Sequence, residues 1–338
     1  MNDSTVVEFS LLGFPAQYAI QIILFCAVCI FYVLIILGNV LIIVTTIFSS
    51  KLHTPMYFFL SNLSFLEIFY TSVTIPKMLL NFLLKTSSIS FFGCAAQLYF
   101  FIALGSIECT LLAVMAYDRY VAICRPLHYV TIMKNSTCVV LVGSSWISGF
   151  LNSMVHTVCT FRLSFCSSKS INQFFCDIPP LLKVACGDTF LTEIVLYIIG
   201  GLYGFGSFLL ILMSYILIIA SILKIRSKEG QKKTFSTCTP HLIVVILFFA
   251  TSSSAYLKPT LKYSSEEESM VPVFYAIITP TLNPIIYTLR NQKFKSALWK
   301  IMGLDHGQKG PGRSPRYHSI VTLINKMIST RIKPPHDQ

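Results

Sequence analysis

Seven long apolar runs, near residues 20–48, 56–80, 94–121, 138–160, 191–224, 235–257 and 270–289, limit this chain more than any other feature. Each has the length and hydropathy of a membrane-crossing helix, and the breaks between them are polar or contain proline. Charged residues make up only 12% of the chain and hydrophobic ones 54%, against roughly a quarter and just under a half in soluble domains. The expected fold is an all-α membrane protein, a seven-helix bundle. The first run begins too far in and extends too long for a cleaved signal peptide, so it reads as a retained span.

An odd number of spans puts the termini on opposite sides. With the amino terminus (residues 1–19) outside, Lys77, Lys85, Arg162, Lys169, Lys183, Lys258 and Lys262 fall outside, seven of the twenty-six basic residues. The other nineteen fall inside, ten of them after Thr288. This follows the positive-inside rule, so the net charge of +12 reflects topology and anionic inner-leaflet lipid rather than nucleic acid. Cys94, Cys166, Cys176 and Cys186 lie at or beyond the outer face, where the secretory pathway oxidises thiols, and four cysteines allow three pairings. The sequon Asn2-Asp3-Ser4 lies on the same side and makes Asn2 a glycosylation candidate.

The stretch Met115 to Tyr129, MAYDRYVAICRPLHY, sets Asp118 and Arg119 at the end of the third run. Counting back to Cys94 gives twenty-five residues, about 37 Å of helix, so Arg119 and Cys94 sit at opposite boundaries. A charged pair there reads equally as a plain interface marker. Glu67 and Glu108 are placed deep in hydrocarbon, Glu108 about 16 Å from the Arg119 boundary. They read either as a cation or proton site or as neutral acids held by helix-to-helix hydrogen bonds.

The connection at 161–190 holds three of the four outer cysteines and should fold over the outer mouth. Pro284 should kink the seventh helix beside Asn283. Gln292 to Met302 alternates basic and apolar residues, as a short amphipathic eighth helix on the inner face would, with Trp299 as anchor. Residues 1–302 form the bundle domain and 303–338 a basic cytoplasmic tail, which reads either as a membrane-attached stripe or as a solvated extension.

Five stretches, in order, carry a family resemblance: LHTPMYFFLSNLS at Leu52, MAYDRYVAICRPLHY at Met115, Ser214-Tyr215, KKTFSTCTPHL at Lys232 and PTLNPIIYTLRN at Pro280. From about Phe9 to Met302 the chain resembles an olfactory (odorant) receptor, class II-like, of the rhodopsin-like G-protein-coupled receptors. The resemblance implies a Cys94–Cys176 pair and a Cys166–Cys186 pair. It implies that Asp118 and Arg119, beside Tyr120, form a resting ion pair, and that the open state brings Arg119 to face Tyr215 and Tyr287. Glu67, Glu108 and Asn283 match the cluster that holds a sodium ion in related receptors, and Asn283, Pro284 and Tyr287 match the switch of the seventh helix.

The ligand face implied is Phe101, Ile102, Gly105 and Ser106 of the third helix, completed by Tyr203, Ser252, Ser253 and Tyr256. None of the eight is charged, which suits a small, neutral, mainly apolar ligand. The expected partners are a volatile odorant, membrane lipid and an olfactory stimulatory G protein that raises cyclic AMP, with no nucleic acid. No enzyme activity and no cofactor are implied, apart from a structural sodium ion. The expected location is the plasma membrane of an olfactory sensory neuron.

Three features depart from the family's usual pattern: Thr239-Pro240 in the sixth helix, Phe248-Phe249-Ala250 in its core, and the extended tail. A transporter or ion-conducting bundle would need internal repeats or a charged path, and the sequence has neither. A retinal-bearing sensor would need a lysine in the seventh helix, and Val271 to Thr288 has none. A hydrolase would need a metal or nucleophile set, and His53, His128, His156 and His241 show no ligand spacing.

Overall fold

The computed structural model describes residues 8–11, 18–83, 88–165, 170–171, 173–256, 274–289 and 292–301. Six helical spans among them are long and apolar enough to cross a membrane. They comprise α1 (Tyr18–Phe48), α2 (Pro55–Leu83), α3 (Phe91–Cys124), the pair α4 (Tyr129–Ile132) and α5 (Asn135–Phe161), of which only α5 spans, and then two further helices beyond the long connection. That connection carries a short α6 (Ile178–Val184). α7 (Phe190–Val195) runs through one π-helical turn, Leu196–Gly200, into α8 (Gly201–Leu223), and together they make the fifth span. α9 (Lys228–Tyr256) is the sixth. A seventh segment opens with a π-helical turn, Phe274–Ile278, continues as α10 (Thr279–Leu289) and packs between α1 and α9. α11 (Gln292–Ile301) follows, with Phe294 and Ala297 buried and Trp299 exposed.

Local chemistry sets the ends. Pro55 opens α2, where a missing N–H costs nothing, and the Ser90 hydroxyl caps α3 by accepting from the Gly93 amide at 3.1 Å. α3 is the axis: α2, α5, α8 and α9 all pack on it, and its buried face runs from Cys94 to Val121. The opposite surfaces are greasy. Ile23, Leu37, Leu202, Leu210 and Ile246 are more than half exposed, which water would not tolerate over whole helices and hydrocarbon requires.

Two glycines leave room for a neighbouring helix to come close. A Cβ on Gly149 of α5 would sit 2.4 Å from Ile107 Cγ1 and about 3 Å from α3 backbone atoms. On Gly38 of α1 it would meet the Pro284 ring at 3.0 Å. Missing side chains here bring the helix axes together.

Hydropathy places several boundaries short. α3 continues past Arg119 to Cys124, so the Asp118–Arg119 pair lies inside the helix rather than at its end, and α9 begins at Lys228 rather than near 235. In both cases the polar residues extend a helix whose apolar portion alone registers as hydrophobic.

The end of the bundle that carries Cys94 is covered by strands that alternation did not reveal. β1 (Glu8–Leu11) pairs antiparallel with β2 (Ser88–Ser90), Phe9 opposite Ile89. The same strand pairs in parallel with β4 (Ser170–Ile171), which comes after β3 (Ser164–Phe165); β3 pairs with β5 (Ala185–Cys186). Phe9, Leu11, Leu98, Ile171, Ile178 and Leu181 close a small second core beneath the sheet. The Cys94–Cys176 disulfide ties this cover to α3. Gln97 reinforces it, accepting from the Cys176 amide at 3.0 Å while donating to the Val73 carbonyl at 2.9 Å. Cys186 is disulfide-bonded too, and Cys166 lies outside the described residues, as do Asn2 and the tail from Met302 onward.

Candidate ligand cavity and coupling site

Beneath the cover lies a cavity of about 530 Å³ between α3, α5, α7–α8 and α9, roofed by Ile178. Phe101, Ile102, Gly105 and Ser106 line it from α3, Tyr203 from α8, and Ser252 and Ser253 from α9. The structure thus brings seven of the eight residues singled out in the sequence around one space; the Tyr256 side chain lies outside the described residues. Spacing explains the α3 set. Residues 101, 102, 105 and 106 share one helical face.

Aromatic rings make most of the wall. Phe101 stacks with Tyr70 at 5.3 Å between centroids and meets Phe175 of the covering loop at 5.0 Å; Phe208 and Phe249 close the far side at 5.3 Å. Phe249 brings no hydroxyl to the wall there. No Asp, Glu, Lys or Arg is among the described lining residues.

Two of the polar groups are already hydrogen-bonded across helices. Tyr203 donates its hydroxyl to Ser148 at 2.6 Å, and Asn152 donates to the Ser106 hydroxyl at 2.8 Å. Asn152 and His156 of α5 also line the cavity, and sequence reasoning missed both. Their i, i+4 spacing puts them on one face, but nothing in the sequence says which face of that helix looks inward.

At the opposite end, Arg119 and Asp118 form an ion pair, with Arg119 Nε donating to Asp118 Oδ2 at 3.1 Å. The Tyr129 hydroxyl donates to the other carboxylate oxygen at 2.7 Å. Burial, and then the negative charge of Asp118, raise the Tyr129 phenol above its ordinary range, so it stays a donor at any physiological pH. Tyr120 lies apart from this network, its ring 6.2 Å from that of Tyr117. Tyr215 hydrogen-bonds His241 Nδ1 at 2.7 Å with the rings stacked, and the Tyr287 hydroxyl is buried without a hydrogen-bond partner among the described residues. Arg119 therefore engages Asp118 here rather than either tyrosine.

Between the two ends, Asn283 of α10 donates to Glu67 of α2, and Glu108 is buried close enough for its charge to act on Glu67. Glu67 Oε2 and Asn283 Oδ1 are buried with no hydrogen-bond partner among the described residues. Two orphaned acceptor oxygens beside a second carboxylate fit a small cation or a shared proton. No group of three or more His, Cys, Asp or Glu side chains forms a metal cluster among the described residues.

The olfactory receptor family model matches residues 28–304. The chain belongs to the olfactory receptor family. Olfactory receptor 5AR1 of Mus musculus is 47% identical over 302 residues, covering 89% of this chain and 97% of that protein. Olfactory receptor 1G1 of Gorilla gorilla gorilla is 48% identical over 301 residues, covering 89% and 96%. The crystal structure of squid rhodopsin superposes with a TM-score of 0.68 at 18% identity, covering 90% of this chain and 91% of that one, which establishes the seven-helix fold. Olfactory receptors are multi-pass membrane signalling proteins that pair a small odorant with a G protein, and they are not enzymes.

Proposed function

We propose that this receptor binds a small, neutral, mainly apolar odorant in the cavity beneath the disulfide-tied cover and activates an olfactory-type stimulatory G protein, raising cyclic AMP. The observation that carries the ligand reading is the wall itself. It is aromatic and aliphatic with a few hydroxyl, amide and imidazole groups and no lining carboxylate, lysine or arginine among the described residues. An ammonium or carboxylate would lose its hydration there without gaining a counter-ion. Phe101, Ile102, Gly105, Ser106, Tyr203, Ser252, Ser253 and Tyr256 would form the ligand site.

Activation requires that the odorant bind one bundle state better than the other, because equal affinity shifts nothing. Asp118 and Arg119, clamped by Tyr129, would supply the lock, and Tyr120 with Tyr215, Asn283, Pro284 and Tyr287 the switch. Opening would release Arg119 from Asp118 and admit the G protein. Glu67, Glu108 and Asn283 would hold a sodium ion or share a proton in the closed state; a cation would neutralise the paired carboxylates. The basic-residue distribution supports an extracellular amino terminus and a cytoplasmic carboxyl terminus in the plasma membrane of an olfactory neuron. That topology places Asn2 for glycosylation and Cys166 with Cys186 for a second staple.

The test is cyclic AMP in cells expressing the receptor with and without an olfactory stimulatory α subunit, against a volatile panel. A response that needs that subunit and is lost in Arg119→Ala supports the reading. Responses carried only by other G proteins contradict it.

A further inference from the structure

The polar corner of the cavity has a chemistry that the neutral-ligand reading does not specify. His156 is 3% exposed and lines the cavity, yet neither ring nitrogen makes a hydrogen bond among the described residues. One turn away on α5, Asn152 is 8% exposed; its amide nitrogen is spent on Ser106, which it holds in place, and its carbonyl oxygen is fully buried with no hydrogen-bond partner among the described residues. Because Asn152 occupies the Ser106 oxygen as an acceptor, the Ser106 hydroxyl proton remains available. Facing His156 is Gly200, the last residue of the π-helical turn. A Cβ there would lie 3.6 Å from His156 Cε1 and Nε2, so the absent side chain leaves the imidazole edge open to the cavity.

We infer that this corner, Asn152, His156 and Ser106 opened by Gly200, is a subsite for a hydroxyl group, so that the receptor selects alcohols among neutral ligands. The inference rests on the ligand reading above and deepens it. A neutral imidazole offers one donor and one acceptor, and Ser106, its oxygen held by Asn152, offers a proton. A ligand hydroxyl donates to one member of this set and accepts from another. A ketone or an ether only accepts, so it leaves the acceptor nitrogen of His156 unpaired in the cavity, which is the unfavourable arrangement. A hydrocarbon satisfies neither kind of group. The aromatic and aliphatic side chains of the wall hold the carbon skeleton by shape. A site built to pair a hydroxyl discriminates against analogues that lack it more sharply than an apolar pocket discriminates by size.

The experiment uses the full-length receptor at the cell surface with cyclic AMP readout and a panel of volatile alcohols. Each alcohol is accompanied by the methyl ether and the ketone of the same carbon skeleton. The expected result is a half-maximal concentration for active alcohols at least about tenfold below that of their ethers and ketones. His156→Phe and Asn152→Leu should remove that advantage while leaving the ether response in place. Should both fail to reach the surface, Gly200→Ala adds one carbon at ordinary contact distance, folds, and should weaken alcohols selectively. Ethers or ketones as potent as their alcohols on the unmodified receptor would overturn the inference. So would an alcohol advantage that survives the substitutions. Silence toward every neutral probe, with responses to amines or acids, would overturn the ligand reading itself, and the two failures are thereby told apart.

Discussion

Tyr129 and Asp118 are joined across the bend after α3: the phenol donates to Asp118 Oδ1 at 2.7 Å, on the carboxylate oxygen that Arg119 leaves free. The ion pair is thus clamped from two sides, by a cation on its own helix and by a neutral donor from α4. Asp118 is 1% exposed, so each hydrogen bond to it replaces water that cannot reach it.

Tyr129→Phe removes one clamp without removing the ring. The closed state should lose about 1 kcal/mol, roughly a fivefold rise in the open fraction. Basal cyclic AMP, normalised to surface receptor, should rise by several-fold with the odorant panel's rank order unchanged. Basal signalling at or below the unmodified level would mean that Tyr129 does not hold the lock closed.

Gly149→Ala should be poorly tolerated. The added Cβ meets Ile107 Cγ1 at 2.4 Å and the Ala103 carbonyl oxygen at 3.0 Å, and backbone cannot step aside as a flexible side chain can. Forcing α3 and α5 apart should cost about 1–3 kcal/mol. The check is the Tm of the detergent-solubilised receptor together with surface yield, and both should fall.

Gly204 presents the opposite case. It lines the cavity, and a Cβ built on it meets nothing within 4 Å. Gly204→Leu should therefore fold normally while filling ligand space. Surface yield should match the unmodified receptor, and the half-maximal concentration of the larger agonists should rise tenfold or more, the effect growing with ligand size.

Cys176→Ser removes the tether between the cover and α3. The Gln97 contacts cannot replace a covalent tie across 82 residues, and loss of a native disulfide typically costs 2–5 kcal/mol, on the order of a whole domain's margin. Surface expression should collapse. Near-normal expression with normal odorant response would show that β1 and its neighbours hold the cover unaided.

Much of this was legible in the chain, for identifiable reasons. Helices that must satisfy every backbone group within a single segment announce themselves by unbroken apolar length, so the spans could be read directly. Spacing put Phe101, Ile102, Gly105 and Ser106 on one face of α3, and the family resemblance turned that face toward a pocket. The strands of the cover did not, because β1 is four residues whose partners, Ser88–Ser90 and Ser170–Ile171, are far along the chain. Asn152 and His156 were hidden because α5 is apolar on more than one face. His241 lies in a recognisable stretch, yet its role depends on contact with Tyr215 from another helix. Local pattern fixes an element; which of its faces meets which neighbour is decided by the packing of the whole bundle.

The most direct test of the central claim compares ligands of one carbon skeleton bearing a hydroxyl, an ammonium or a carboxylate, applied to surface-expressed receptor with cyclic AMP readout. The account predicts responses to the neutral member and none to the charged ones at matched concentration, with Arg119→Ala abolishing the signal. Activation by the ammonium or carboxylate member in preference to the neutral one would contradict the uncharged cavity as the site where this receptor is switched.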